Sequence, residues 1–101
     1  MFHALFLALT LAGTPAEPTL ERGKQLFHDI DLGANGKTCA LCHAGGKSLD
    51  PEELRAYTAK DVALLTNHCL TLRMKSEKLP LDSAELQSLV LYVRTFAAKG
   101  R

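Results

Sequence analysis

Residues 38–46 read Thr-Cys-Ala-Leu-Cys-His-Ala-Gly-Gly, and Cys39-Ala40-Leu41-Cys42-His43 within them is a C-x-x-C-H motif. Cysteines three apart on a turn point the same way, a spacing that suits thioether bonds to the two vinyl groups of a haem. The next residue, His43, then reaches under the macrocycle to offer an imidazole nitrogen to iron. Cys39 and Cys42 are therefore expected to anchor one haem c covalently, with His43 as its proximal axial ligand. Three other readings compete. A zinc site needs four protein ligands when structural, and there is no second C-x-x-C and no H-x₃₋₅-H. A thioredoxin-like C-x-x-C needs a βαβ context. The third is a structural disulfide between the two cysteines.

The chain has 101 residues, 47% hydrophobic and 6% aromatic, with no Trp and a formal charge of +1. Its size bounds it to one domain, and the near-balanced charge argues against nucleic-acid or polybasic membrane partners. Ala4 to Ala12 form an apolar run followed by Gly13-Thr14-Pro15-Ala16. The run is too short for a membrane span of ~20 residues, and small residues at Thr14 and Ala16 suit cleavage. Residues 1–16 are thus expected to be a secretory signal peptide and residues 17–101 the mature domain, exported to a bacterial periplasm. No other segment is long and apolar enough to span a membrane. Thioether attachment of haem occurs after export, so the two expectations agree. With so few aromatics, a covalently held haem would be the largest apolar body of a small core.

The elements follow from period and punctuation. Thr19 is a candidate N-cap for a first helix over 19–28, with Leu20, Gly23, Phe27 and Ile30 at helical spacing. Asp31 to Lys37 is rich in Gly, Asn and Asp and reads as a turn. Asp50-Pro51-Glu52-Glu53 reads as a helix start, with Pro at N1 and acids in the first turn. A helix is expected over 59–74 with Val62, Leu65, Cys69 and Leu72 on one stripe, then a loop over 75–81. Asp82, with Glu85 three residues on, marks the start of a last helix ending at Lys99-Gly100. Its face is Leu86, Leu89, Val90, Val93, Phe96 and Ala97. No alternating strand pattern is present, so the fold class is all-α.

On these residues the chain resembles class I cytochromes c, over nearly all of residues 17–101. The first helix carries Gly23-x-x-x-Phe27 and the last Leu89-x-x-Tyr92. The resemblance implies that Gly23 lets the first and last helices cross closely, with the aromatic and leucine packed at the crossing. It implies a cytochrome c fold, three to five short helices wrapped around one haem.

The sixth iron ligand is left open between two residues of equal standing, with a third behind them. Met74, followed by Lys78 and Leu81, resembles the methionine loop before the last helix of class I cytochromes, although Lys75 stands where those often have proline. A Met/His pair raises the reduction potential and suits electron transfer; otherwise Met74 is a flexible core filler. Cys69 is the odd cysteine of an exported chain. Asn67-x-Cys69, Arg73-Met74 and Leu81-x-Ser83-x-Glu85 resemble a segment of thiosulfate dehydrogenases and related sulfur-oxidation cytochromes, in which a cysteine ligates the catalytic haem. Otherwise Cys69 is a small buried hydrophobe. His68 would give a bis-His haem; otherwise it is polar surface, like His28 and His3.

Pro51 is a candidate to present its carbonyl to the other imidazole N–H of His43. Lys37, Lys47, Lys75 and Lys78 read as solvated lysines before they read as a docking ring for an acidic partner. The leading functional expectation is a periplasmic monohaem c-type cytochrome that carries single electrons between a redox-protein donor and acceptor. It would act as a monomer or in transient complexes, and the question of an enzymatic role is left open, with the carrier preferred. The alternative is a haem enzyme, or an enzyme subunit, acting on a sulfur compound such as thiosulfate with Cys69 on the iron.

Overall fold

The computed structural model describes residues 17–98; the expected signal peptide, residues 1–16, and the expected helix end at Lys99-Gly100 lie outside them. Among the described residues five α-helices follow one another: α1 (Leu20–Phe27), α2 (Cys39–His43), α3 (Pro51–Ala56), α4 (Ala59–Leu72) and α5 (Ala84–Arg94). A 3₁₀ turn at Ala44–Gly46 follows α2, and another at Thr95–Ala98 continues α5. No strand occurs among the described residues, and the all-α class holds. No helix of the described residues is long and apolar enough to cross a membrane.

Local chemistry sets where these helices begin. The Thr19 hydroxyl accepts from the Arg22 amide at 3.0 Å, and the Asp50 carboxylate accepts from the Glu52 amide at 2.9 Å just ahead of Pro51. Thr58 and Asp61 form a reciprocal capping box at the start of α4, through bonds of 2.9 and 3.1 Å. The last helix departs from the expected start. Ser83, not Asp82, is its N-cap, because the Ser83 hydroxyl accepts from the Leu86 amide at 3.2 Å. The Ser83 amide meanwhile donates to the Pro80 carbonyl at 2.9 Å, closing a turn that leaves Asp82 outside the helix.

Helices α1 and α5 cross at Gly23. A Cβ added there would sit 2.0 Å from the Ser88 carbonyl oxygen and 2.9 Å from Tyr92 Cβ, so only glycine permits this approach. The Ser88 hydroxyl accepts from the Thr19 amide at 3.0 Å, and Ser88 is fully buried. Beside the crossing, Phe27 packs edge-on against Tyr92 at 5.1 Å, and Phe96 completes the cluster at 5.2 Å from Tyr92 and 5.7 Å from Phe27. Contacts of this geometry contribute ~1 kcal/mol each beyond area burial. The core continues through Leu26, Leu54, Val62, Ala63, Leu86, Leu89 and Val90.

Two expected stripes are displaced. Ile30 lies beyond the end of α1 and is 63% exposed, and Leu20 is half exposed, because burial at the crossing is carried by Gly23, Leu26 and Phe27. In α4 the residues packed into the protein are Val62, Ala63, Asn67 and Leu70. The expected stripe of Leu65, Cys69 and Leu72 is exposed. Leu65 and Cys69 instead line a cavity, and of the expected stripe Val62 alone is buried.

Gly23→Ala is expected to destabilise the chain by about 2 kcal/mol, since the added methyl cannot be accommodated without separating the two backbones. Denaturant titration measures this; a change below about 0.5 kcal/mol would show that the crossing is not close-packed in solution.

Candidate functional site

A cavity of about 300 Å³ opens between α2, α3, α4 and α5, within the range of small-ligand and cofactor sites. Its apolar wall includes Phe27, Leu54, Leu70, Leu89 and Val93. Cys39 and His43 of the C-x-x-C-H motif line it, and so do Met74, Cys69 and His68. The fold thus gathers every candidate axial ligand around one space. Cys42 is exposed and is not part of the lining.

The motif is held by its own short helix. Thr38 caps α2, its hydroxyl accepting from the Leu41 amide at 2.9 Å. After His43 the chain reverses through Gly45 (φ 61°) and Gly46 (φ 88°), a left-handed pair that other residues rarely adopt. Gly46 also packs against Phe96, leaving no room for a side chain. This reversal brings the Lys47 carbonyl to 2.8 Å from His43 Nδ1. A carbonyl only accepts, so Nδ1 carries the proton and Nε2 keeps its lone pair. The acceptor is therefore Lys47, not Pro51 as the sequence suggested. The glycine turn returns the chain four residues after the histidine, before Pro51 is reached.

Burial pushes the Cys39 thiol up to about 11, with the Cys69 thiol a second cause, while a backbone hydrogen bond opposes them. Burial also raises Cys69; Arg73 lowers it and Cys42 raises it further. Cys69 therefore lies within electrostatic reach of both motif thiols. No group of three or more His, Cys, Asp or Glu side chains among the described residues forms a metal cage by itself.

The three competitors for the sixth position differ in how they are held. Met74 is 3% exposed. Its carbonyl accepts from the Ala34 amide at 2.9 Å, and the Asn35 side chain donates to the neighbouring Arg73 carbonyl at 3.1 Å. Gly33 lies so close that an added Cβ would sit 2.8 Å from Met74 Cβ. Cys69 and His68 are exposed, on α4. Directly after Met74, Lys75 has φ 52°, and the Ser76 amide donates to the Leu70 carbonyl at 2.9 Å. Proline, locked near −65°, cannot occupy that backbone.

His28 is exposed but not idle: its Nδ1–H donates to the Lys24 carbonyl at 2.8 Å, and its ring lies edge-on to Phe27 at 5.5 Å. Lys37, Lys47, Lys75 and Lys78 are all exposed. Sequence reasoning missed Asn67, Gly33 and Lys47 as parts of the site's support. The Gly45-Gly46 pair was the one signal that pointed to the reversal behind His43.

Comparisons with protein-family models, with curated proteins and with solved structures return no match for this chain.

In the haem-free chain, alkylation of Cys39 is expected to be slow at neutral pH and to rise through about 11. The folded chain keeps a proton that the unfolded chain releases from about 9.0, so this group's contribution to stability declines as pH climbs between those values. Mass-spectrometric mapping of alkylation against pH checks it. Full Cys39 labelling at pH 8 would show a thiol more accessible than this cavity wall allows.

Proposed function

We propose that this protein is a c-type cytochrome with a cytochrome c fold, carrying single electrons between larger redox proteins. One haem would be attached through Cys39 and Cys42 after export to the periplasm, with His43 and Met74 as the axial ligands. The observation that carries this reading is the fixed state of His43. Its Nδ1–H is committed to the Lys47 carbonyl at 2.8 Å, which leaves Nε2 as a lone-pair donor on a cavity shared with Cys39. Orienting a ligating imidazole by a backbone acceptor is a common device of metal sites.

The residues present fit the group. Two thiols stand one turn of chain apart, the cavity wall is apolar, and a buried thioether lines the same space. When bound, the haem supplies a one-electron couple at its iron. The chain's own residues then have positioning tasks and need no acid, base or nucleophile. Lys47 holds the imidazole, Leu54, Leu70 and Leu89 keep water from the cavity wall, and Met74 offers a neutral soft donor that favours the reduced state.

Met74 is preferred over Cys69 and His68 because it is buried and its backbone is tied on both sides, whereas the other two are exposed. A second reading keeps Cys69 on the iron of a sulfur-oxidising enzyme or subunit; that residue lines the same cavity.

Expression with the cytochrome c maturation machinery should yield one covalently bound haem, lost when Cys39 and Cys42 are both replaced by Ser. Met74→Ala should lower the reduction potential and open the ferrous protein to carbon monoxide, while Cys69→Ala and His68→Ala keep the wild-type optical and EPR signatures. Haem reduction by thiosulfate at a catalytic rate, abolished by Cys69→Ala, would replace the carrier with the enzyme. A haem-free product would sink both.

A further inference from the structure

Asn67 is one of the few buried polar residues of the protein, 5% exposed, and it touches neither motif cysteine nor the motif histidine in any hydrogen bond. Its side-chain amide is spent entirely on one residue of the loop that follows Met74. Nδ2 donates to the Leu79 carbonyl at 2.9 Å, and Oδ1 accepts from the Leu79 amide at 2.9 Å. This two-point pairing imitates a backbone bridge and closes a segment of chain whose interior contains Met74. We propose that Asn67 is the positioning residue of that segment, pinning the return arm so that Met74, and not a donor on α4, is presented to the cavity. The proposal rests on the reading of Met74 as the sixth ligand.

The argument turns on what else holds Met74. On its near side the Met74 amide donates to the Cys69 carbonyl at 3.2 Å and the Ser76 amide to the Leu70 carbonyl at 2.9 Å, both on α4, and the remaining ties are to the 31–37 turn. The Met74 carbonyl accepts from Ala34, the Arg73 carbonyl from Asn35, and the Ser76 hydroxyl donates to the Leu32 carbonyl at 3.3 Å. These fix the backbone at Met74 against the turn, but the turn is itself exposed over Ala34 to Lys37. On its far side the chain runs without helix from Lys75 to Pro80. Asn67 joins this irregular arm to the middle of α4, between Val62 and Leu70, which are both buried. His68 and Cys69 follow Asn67 directly on α4 and are placed by that helix, although the Cys69 carbonyl also accepts from the Met74 amide. Loosening the arm therefore weakens the claim of Met74 on the cavity while leaving its two competitors in place.

The chemistry at position 67 is narrow. An amide alone supplies one donor and one acceptor with the spacing of a peptide group. Asp keeps the shape and the acceptor but, when ionised, has no donor for the Leu79 carbonyl. Ala leaves both Leu79 groups without that partner, and a buried polar group without a partner is destabilising.

The test compares the haem-loaded wild type with Asn67→Ala, Asn67→Asp and Met74→Ala, each held well below its melting temperature. Three properties are read: the ferric optical and EPR spectra, carbon monoxide binding to the ferrous protein, and trypsin cleavage after Lys75 and Lys78. Asn67→Ala should keep haem attached and shift the spectrum and carbon monoxide binding towards those of Met74→Ala. Cleavage in the loop should be about tenfold faster, as expected for losing a two-bond tie. Asn67→Asp, of the same size, should fall between the two, which a simple loss of volume would not produce. If Asn67→Ala does not fold, Asn67→Asp decides by the same readouts. Wild-type ligation together with wild-type cleavage in the Asn67 variants overturns the proposal, as does a lower melting temperature with unchanged ligation. If Met74→Ala leaves the spectrum unaltered, the assignment of Met74 is wrong. Loop cleavage then judges the tie alone: faster cleavage keeps Asn67 as the anchor of the arm, and unchanged cleavage removes it.

Discussion

The contact on which everything else hangs is the passage of Gly23 against the Ser88 carbonyl. Two helices distant in sequence come closer than any Cβ would allow, and the approach is locked by the Thr19 amide on the Ser88 hydroxyl. Ser88 is therefore as specific as Gly23. A larger side chain would force the helices apart, and an apolar one would remove the acceptor from a helix N-terminus, where amides lack intrahelical partners. From this crossing the aromatic cluster of Phe27, Tyr92 and Phe96 extends towards Gly46. Phe96 is thus the link between the structural frame and the turn behind His43. A frame distortion at Gly23 and a misplaced Lys47 carbonyl are connected through a single packed ring.

That frame occupies only part of the apolar surface the chain provides. Leu65 and Cys69 lie on α4 with helical spacing, yet neither is buried among protein side chains. Helix faces of this kind normally meet another element. Here they border a cavity with Leu54, Leu70 and Leu89. A small domain with so few aromatics has little side-chain volume to spare, and a large covalent apolar group would account for both the thin core and the unused face.

Legibility in the sequence followed the range of the interaction. Helix starts at Thr19 and Asp50 were readable because a cap bonds within three residues, whereas the start at Ala59 was read from period without its Thr58 cap. Ser83 displaced Asp82 because the Pro80 carbonyl, outside any capping rule, took the Ser83 amide. The C-x-x-C-H motif located the site, since its spacing is itself the chemistry. The acceptor for His43 was misplaced by four positions, from Lys47 to Pro51, because it depends on the dihedral angles of Gly45 and Gly46 and not on residue type. The face of α4 was assigned by period alone, and period cannot say whether a stripe meets protein or a cavity.

The sixth position shows the same limit from the other side. In sequence, Met74 and Cys69 stand level and His68 behind them, all within one short stretch. What separates them is support from residues far along the chain: Gly33, Ala34 and Asn35 against Met74, and Asn67 against Leu79. A thioether is a weak donor that binds iron usefully only if it need not be brought into place at the moment of binding, since ordering a free loop would use up much of a weak bond. A thiolate or an imidazole, stronger and seated on a helix, would need no such loop. The hydrogen bonds around residues 73–79 therefore support the proposed choice of Met74, because neither Cys69 nor His68 has side-chain ties of this kind.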